Sequence, residues 1–193
     1  MNREFKPLLC FLLFFTLCHV NGHAQDEAML NSPISHWEET ISYEGRFRIL
    51  SPGKMENKAD TVKTPLGKLV YHTYYFHTND KKQENYVYML SYCDYPELTV
   101  HSDSLDLLED FFHTTVEAAV SSVRGELMYS TDTDLDDYPA KLWRIDYLNG
   151  RGIIKTKAVV VDNRYYAVQT VTQKGRAINQ SSDAFLDSFR LLK

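Results

Sequence analysis

The stretch Ser102–Arg124, SDSLDLLEDFFHTTVEAAVSSVR, decides how the rest of the chain is read. Leu105, Leu108, Phe112, Thr115, Val116, Ala119 and Val123 recur at spacings of three and four, which lines one side of a helix. Asp103, Asp106, Glu109 and Asp110 crowd the first turns, where the helix dipole favours acids. Arg124 closes the end, and Gly125 stands in the position of a C-cap. Both flanks read as strands. The pattern therefore predicts a helix that covers a sheet made by the rest of the chain. Phe112 should press into that sheet, with His113 on the flank.

Outward from the helix toward the N-terminus, two aromatic strands come first. Lys68–His77 and Glu84–Tyr92 are rich in β-branched and aromatic residues, which suit a pleated, half-buried surface. In the second, Tyr86, Tyr88, Leu90 and Tyr92 share one face and Val87, Met89 and Ser91 the other. Asp60–Lys63 is a short strand turned back by Thr64-Pro65-Leu66-Gly67, and Lys54–Ala59 reads as a charged connector. Trp37–Ser42 and Arg46–Leu50 are two further short strands around Glu44-Gly45.

Toward the C-terminus, Glu126–Ser130 is a short strand leading into an acidic turn, Thr131–Asp137. Lys141–Leu148 alternates, with Trp143, Ile145 and Tyr147 on one face, and Asn149-Gly150 is a strong hairpin signal. Ile153–Val161 is apolar on both faces toward its end, as a strand covered on two sides would be. Arg164–Thr172 is the last long strand, Ser181–Ser188 a second helix, and Phe189–Leu192 is apolar enough to dock. The expected fold class is α+β: an α/β/α sandwich whose central, largely antiparallel β-sheet is covered by the long middle helix and the C-terminal helix.

At the start of the chain, Arg3 and Lys6 precede the apolar run Leu8–Val20, and Asn21-Gly22-His23-Ala24 follow. A basic start, a short apolar core and a small residue before the break predict a secretory signal peptide, 1–24, cut before Gln25. The run is short for a bilayer span, and no transmembrane segment is expected in the mature chain. Residues 25–36 read as a flexible lead-in and 37–193 as a single domain. Cys18 raises a lipoprotein reading, but Leu17 precedes it where that signal wants Gly, Ala or Ser. The protein is expected to be exported, periplasmic or secreted.

The formal net charge of −5 argues against a nucleic-acid partner, whose phosphates require a basic face. Of three cysteines, Cys10 and Cys18 lie in the signal, which leaves Cys93 alone and rules out an internal disulfide framework. Asp132, Asp134 and Asp136 alternate as oxygen ligands of a calcium loop do. That pattern also needs Gly at its sixth place and Glu at its twelfth, where this chain has Asp137 and Trp143, so a solvated acidic turn is the plainer reading. His72 and His77 fall on opposite faces of one strand and cannot share a metal there. No nucleophile elbow, phosphate loop or dinucleotide fingerprint is present, and no cofactor is indicated. Tyrosine is in excess, with 13 residues. Tyr71, Tyr75, Tyr86 and Tyr88 form a candidate binding surface, since the ring offers apolar area and a hydroxyl that must be satisfied. Rings half-buried beneath a helix are the alternative.

Several motifs together resemble the PsbP-like superfamily, which includes small secreted bacterial proteins. They are Tyr43-Glu44-Gly45-Arg46-Phe47-Arg48-Ile49-Leu50-Ser51-Pro52, the helix after the Asp94-Tyr95-Pro96 corner, and Tyr138-Pro139-Ala140. Arg164-Tyr165-Tyr166-Ala167-Val168 and Phe185-Leu186-Asp187-Ser188-Phe189 complete the set. The resemblance implies an α–β–α sandwich and a binding or assembly role rather than an enzyme. One branch meets a nuclear transport GTPase and another a photosynthetic complex, but no partner-contacting residue of either matches here. The functional expectation is a non-catalytic, extracytoplasmic binding or assembly protein for an unknown protein or small ligand. A hydrolase with a noncontiguous site is the alternative.

Overall fold

The computed structural model describes residues 36–97 and 99–192. The expected signal peptide, Cys18 and all of the lead-in except His36 lie outside the described residues. A hairpin of β1 (Glu38–Ser42) and β2 (Phe47–Ser51) is followed by β3 (Glu56–Thr64), β4 (Gly67–His77) and β5 (Val87–Asp94). The helix α1 (Leu105–Val123) crosses to a meander of β6 (Glu126–Leu135), β7 (Tyr138–Tyr147), β8 (Gly152–Val161) and β9 (Arg164–Gln173). A short helix, α2 (Gln180–Ser188), and a two-residue strand, β10 (Arg190–Leu191), end the chain.

The expected layer arrangement is overturned. Strand accounts for 51% of the described residues and helix for 21%. They form two sheets, one of seven strands in the order β3-β4-β5-β9-β8-β7-β6 and one of three in the order β1-β2-β10. All pairings are antiparallel. The reason lies in length. A helix of nine residues such as α2 is about 14 Å long, while seven strands about 4.8 Å apart span about 29 Å. Such a helix cannot form a layer over that sheet, so the small sheet shares its side with α2.

Alternation sorts the core into two halves. Toward α1, Trp143, Ile145, Ile154, Ala158, Val160, Tyr165 and Ala167 meet Leu108, Phe111, Phe112, Val116 and Ala119. Toward the small sheet, Tyr88, Leu90, Tyr92, Tyr166 and Val168 meet Phe47, Ile49, Phe185, Leu186 and Phe189. The two sides of β5 are thus split as the sequence pattern requires. β10 pairs with β2, which is how the apolar C-terminus docks. Lys155 and Lys157, side by side on β8, reach Asp183 and Asp187 of α2 and fasten that helix across its charged side.

Four local readings change. The charged connector is the first half of β3, where Glu56, Lys58 and Asp60 stand opposite Tyr75, Thr73 and Tyr71. The acidic turn is mostly strand: β6 runs to Leu135, and only Asp136 and Asp137, with φ of 48° and 71°, make the turn. On α1, Leu105 is 69% exposed while Phe111, outside the expected stripe, is 3% exposed. Arg124, not Gly125, takes the left-handed φ of 49° at the helix end. Gly125 is needed for proximity, since a Cβ there would lie 2.4 Å from Ile145 Cγ2 and 2.8 Å from the Asp146 carbonyl oxygen.

Candidate binding surface

One cross-strand row shows where α1 stops covering the sheet. Pairing places Glu56, Tyr75, Met89, Gln169, Thr156, Trp143 and Ser130 side by side, from β3 to β6. Gln169, Thr156 and Trp143 are buried, at 2%, 0% and 0% exposure. Tyr75 and Met89 are only half-buried, and so are Thr73 and Ser91 in the neighbouring row. The helix thus shields β9, β8 and β7 together with Leu69 and Cys93 of the same face, and leaves the part of the β3–β4–β5 wing around Thr73, Tyr75, Met89 and Ser91 open. Gln169 Nε2 donates to Thr156 Oγ1 at 2.9 Å, which satisfies both groups under the helix.

The wing carries two of the four candidate tyrosines. Tyr71 and Tyr75 share a face of β4, four residues apart. The Tyr71 hydroxyl lies 3.2 Å from that of Tyr95. The Tyr75 hydroxyl donates to Glu56 Oε2 at 2.7 Å, and this bond to a carboxylate holds the phenol above its ordinary pKa. Lys58 and Asp60 pair at 2.8 Å on the adjoining edge. The wing therefore presents an aromatic strip bordered by charges of both signs.

The other two tyrosines do not join them. Tyr86 lies just before β5 and donates to Gln173 Oε1 at 3.1 Å. Tyr88 is wholly buried on the opposite face of the sheet, edge-on to Trp37 and Phe185 at 5.7 and 5.3 Å between ring centroids. Its inclusion in a surface is corrected. Residue type alone did not show that the second sheet covers that face.

Asp132 and Asp134 are exposed on β6, and Asp136 sits in the turn beyond it. Asp132 pairs with Lys141 Nζ at 2.5 Å. Among the described residues, no three His, Cys, Asp or Glu side chains gather as a metal site would need. His72 stacks on Tyr92 with centroids 4.5 Å apart, while His77 tilts toward Tyr75 on the other face. Cys93 is buried in the core beneath α1.

A cleft of about 440 Å³ opens where α1 ends, between the start of β6 and the β7–β8 hairpin. Arg124, Glu126, Met128, Asp146, Tyr147 and Lys174 are among the residues that line it. Asp146 is 8% exposed and accepts from Arg144 Nε and Nη2 at 2.7 and 3.0 Å, a bidentate pair that balances its charge. The cleft offers apolar and mixed-charge contacts, and its lining contains no histidine or serine. Sequence reading missed it because Met128 and Asp146 meet only through the strand pairing.

No family model matches the chain. No curated protein matches its sequence. Among solved structures, the solution structure of cyanobacterial PsbP (CyanoP) from Synechocystis sp. PCC 6803 aligns with a TM-score of 0.57. The match covers 86% of this chain and 98% of that one at 11% identity. The fold is PsbP-like. A protein of unknown function from Pseudomonas aeruginosa, PA94, aligns over 74% of this chain and 86% of its own, at 10% identity. Its TM-score of 0.35 is too low to indicate a common fold. Identity this low makes the PsbP-like likeness a statement about architecture. Among the described residues, no helix is long and apolar enough to cross a membrane.

Proposed function

We propose that the protein is a non-catalytic binding or assembly factor acting outside the cytoplasm, and that it holds its partner on the β3–β4–β5 wing around Tyr71 and Tyr75. The observation that carries this reading is the change from buried to half-buried along one row of the sheet, between Gln169 and Met89. It leaves aromatic area open on a rigid sheet, the kind of surface that gives binding contacts at low entropic cost. The PsbP-like fold supports a binding role, and the N-terminal sequence pattern supports export.

The test uses Thr73→Arg, which places a bulky charge between the two tyrosines. Wild-type protein should recover a partner from envelope extracts, or shift its melting temperature with a screened ligand, and the variant should lose that effect. Equal recovery by both proteins would place the site elsewhere. No partner and no ligand shift would remove the binding reading. Mass spectrometry of the exported protein should find a chain that starts at Gln25, within a residue or two. A start at a diacylated Cys18 would make it a membrane-anchored lipoprotein instead.

A further inference from the structure

Among the described residues, β6 forms one edge of the large sheet and pairs only with β7. It is ten residues long, and of these only Leu135 is buried. An open edge of this length presents a row of backbone donors and acceptors to any extended chain that fits. Natural edges are usually blunted, and the opposite edge of this sheet is. On β3 charges of both signs satisfy one another, with Lys58 on Asp60 and Glu56 accepting from Tyr75.

β6 is different in two respects. First, Leu127, Met128 and Tyr129 are exposed at 41%, 49% and 37%, and a register shift between Leu127 and Tyr129 frees Met128 to line the cleft at the end of α1. An apolar start therefore runs into a preformed hollow. Second, the charges are of one sign. Glu126, Asp132, Asp134, Asp136 and Asp137 are acidic, and the interval from Glu126 to Asp137 contains no base. Lys141 on β7 offsets Asp132 alone.

We infer that β6 takes up an extended, basic segment of a partner protein as an eighth strand of the large sheet, its basic side chains along Asp132 and Asp134 and an apolar one beside Met128 in the cleft. Backbone pairing supplies affinity in such strand addition, and alternate side chains supply selectivity. Charge chooses the occupant. A second copy of the chain pairing antiparallel along the whole of β6 would set Asp132 opposite Tyr129 and Asp134 opposite Leu127 and would bring no base to either acid, whereas a basic segment pairs opposite charges across the strands. Residues 25–35 of the chain itself carry Asp26 and Glu27 and no base, so they do not match the edge either. The site is separate from the tyrosine wing, which lies at the other side of the sheet.

The test is NMR on the full chain with a peptide that alternates lysine and valine and is as long as β6. A glutamate–valine peptide of equal length serves as the control. The expected result is shifts and slowed hydrogen exchange at the amides of residues 127–135 with the basic peptide alone, weakening as salt rises. Asp134→Lys, at an exposed position, should weaken this binding roughly fivefold, the factor that about 1 kcal/mol corresponds to. Were that variant misfolded, the salt titration of the wild type would still report the charge dependence. Equal binding of both peptides, shifts confined to the Tyr71–Tyr75 wing, or no shifts with millimolar basic peptide would overturn the inference. So would the same β6 shifts arising in the protein alone as its concentration is raised, since the occupant would then be a second copy. Failure here leaves the wing untouched, and failure of Thr73→Arg leaves β6 untouched.

Discussion

Asn85 and Asn179 exchange amide hydrogen bonds in both directions: Asn85 Nδ2 donates to Asn179 Oδ1 at 3.3 Å, and Asn179 Nδ2 donates to Asn85 Oδ1 at 3.1 Å. The two are 0% and 7% exposed. Asn179 is also the N-cap of α2, accepting from the Ser182 backbone N–H at 2.6 Å, and the Ser182 hydroxyl returns to Asn85 at 2.8 Å. Glu84 Oε2 accepts from both the N–H and the hydroxyl of Ser181. The approach to β5 and the start of α2 are thus tied by a closed polar network. A closed network of buried groups favours one arrangement, because any other breaks several of these bonds at once.

Replacing Asn85 with Ala removes one member and leaves the Asn179 amide and the Ser182 hydroxyl without it. Both keep another partner, the Arg176 carbonyl for the amide and Thr170 Oγ1 for the hydroxyl, so the cost is that of the lost hydrogen bonds, about 0.5–1.5 kcal/mol each. Asn85→Ala should lower the midpoint of denaturant unfolding with no change in the m-value. An unchanged midpoint would mean that water replaces the lost amide and that the network does not hold α2.

Phe111 and Phe112 are each 3% exposed, and both face the sheet. Phe111 sits edge-on to Tyr95 and Tyr165, with centroids 5.1 and 5.3 Å away. Truncating a buried phenylalanine costs about 3–5 kcal/mol, a large share of the about 5–15 kcal/mol that a domain possesses. Phe111→Ala and Phe112→Ala should each lower the melting temperature severely. His113→Ala should change it little, since His113 is exposed and its pair with Glu117, at 3.3 Å, is a surface one. If His113→Ala melts with the phenylalanine variants, α1 is rotated from the orientation described here.

Much of this fold was legible because alternation and helical spacing report which side is buried, and they do so without knowledge of partners. The split of β5, the facing of Trp143, Ile145 and Tyr147, and the opposed positions of His72 and His77 follow from period two alone. Layering was not legible. The Trp37–Leu50 hairpin shows the same pattern whether it extends the main sheet or forms a second one, and only Phe47 and Ile49 packing on Tyr92 and Phe185 decides it. Phe111 lies three residues after Leu108 and four before Thr115, so the same spacing admits it; a stripe drawn through Phe112 alone leaves it out, and the apolar arc that faces the sheet is wide enough for both. Of the candidate surface, Tyr71 and Tyr75 could be paired from spacing. The burial of Tyr88 could not, since it depends on chain far away in sequence.

Gly125 and Gly175 make a matched pair for testing proximity. A methyl group at Gly125 would overlap Ile145 and the Asp146 backbone, and the backbone cannot swing aside as a side chain end could. Overpacking of this kind costs about 1–3 kcal/mol. Gly175 has nothing within 4 Å of the same position and a φ that alanine accepts. Gly125→Ala should therefore destabilise, while Gly175→Ala should be neutral or gain about 0.4–1 kcal/mol by restricting the unfolded chain. Similar melting of the two variants would show that α1 and β7 lie further apart at the helix end.

Acid should release the corner held by Asp94 and Arg164. Arg164 Nε and Nη2 donate to the two Asp94 oxygens at 2.5 and 2.7 Å, Nη1 donates to the Glu44 carbonyl at 2.8 Å, and the guanidinium lies 4.9 Å from the Tyr92 ring centre. The hydrogen bonds from Arg164 hold the Asp94 carboxyl below its ordinary pKa. In the unfolded chain the same carboxyl titrates near the usual value of about 3.9. Above that pH both states are ionised, and the pair contributes in full. As pH falls through the usual value toward the lower folded one, the unfolded state takes up a proton before the native state does. Stability is lost across that window. Asp94→Asn removes the titration, so its melting temperature should lie below that of the wild type by a constant margin from about pH 5 to 7, and the margin should close below about pH 4. Thermal melts of the two proteins across that range decide it. A margin that persists unchanged at the lowest pH would show that Asp94 acts there through packing rather than charge.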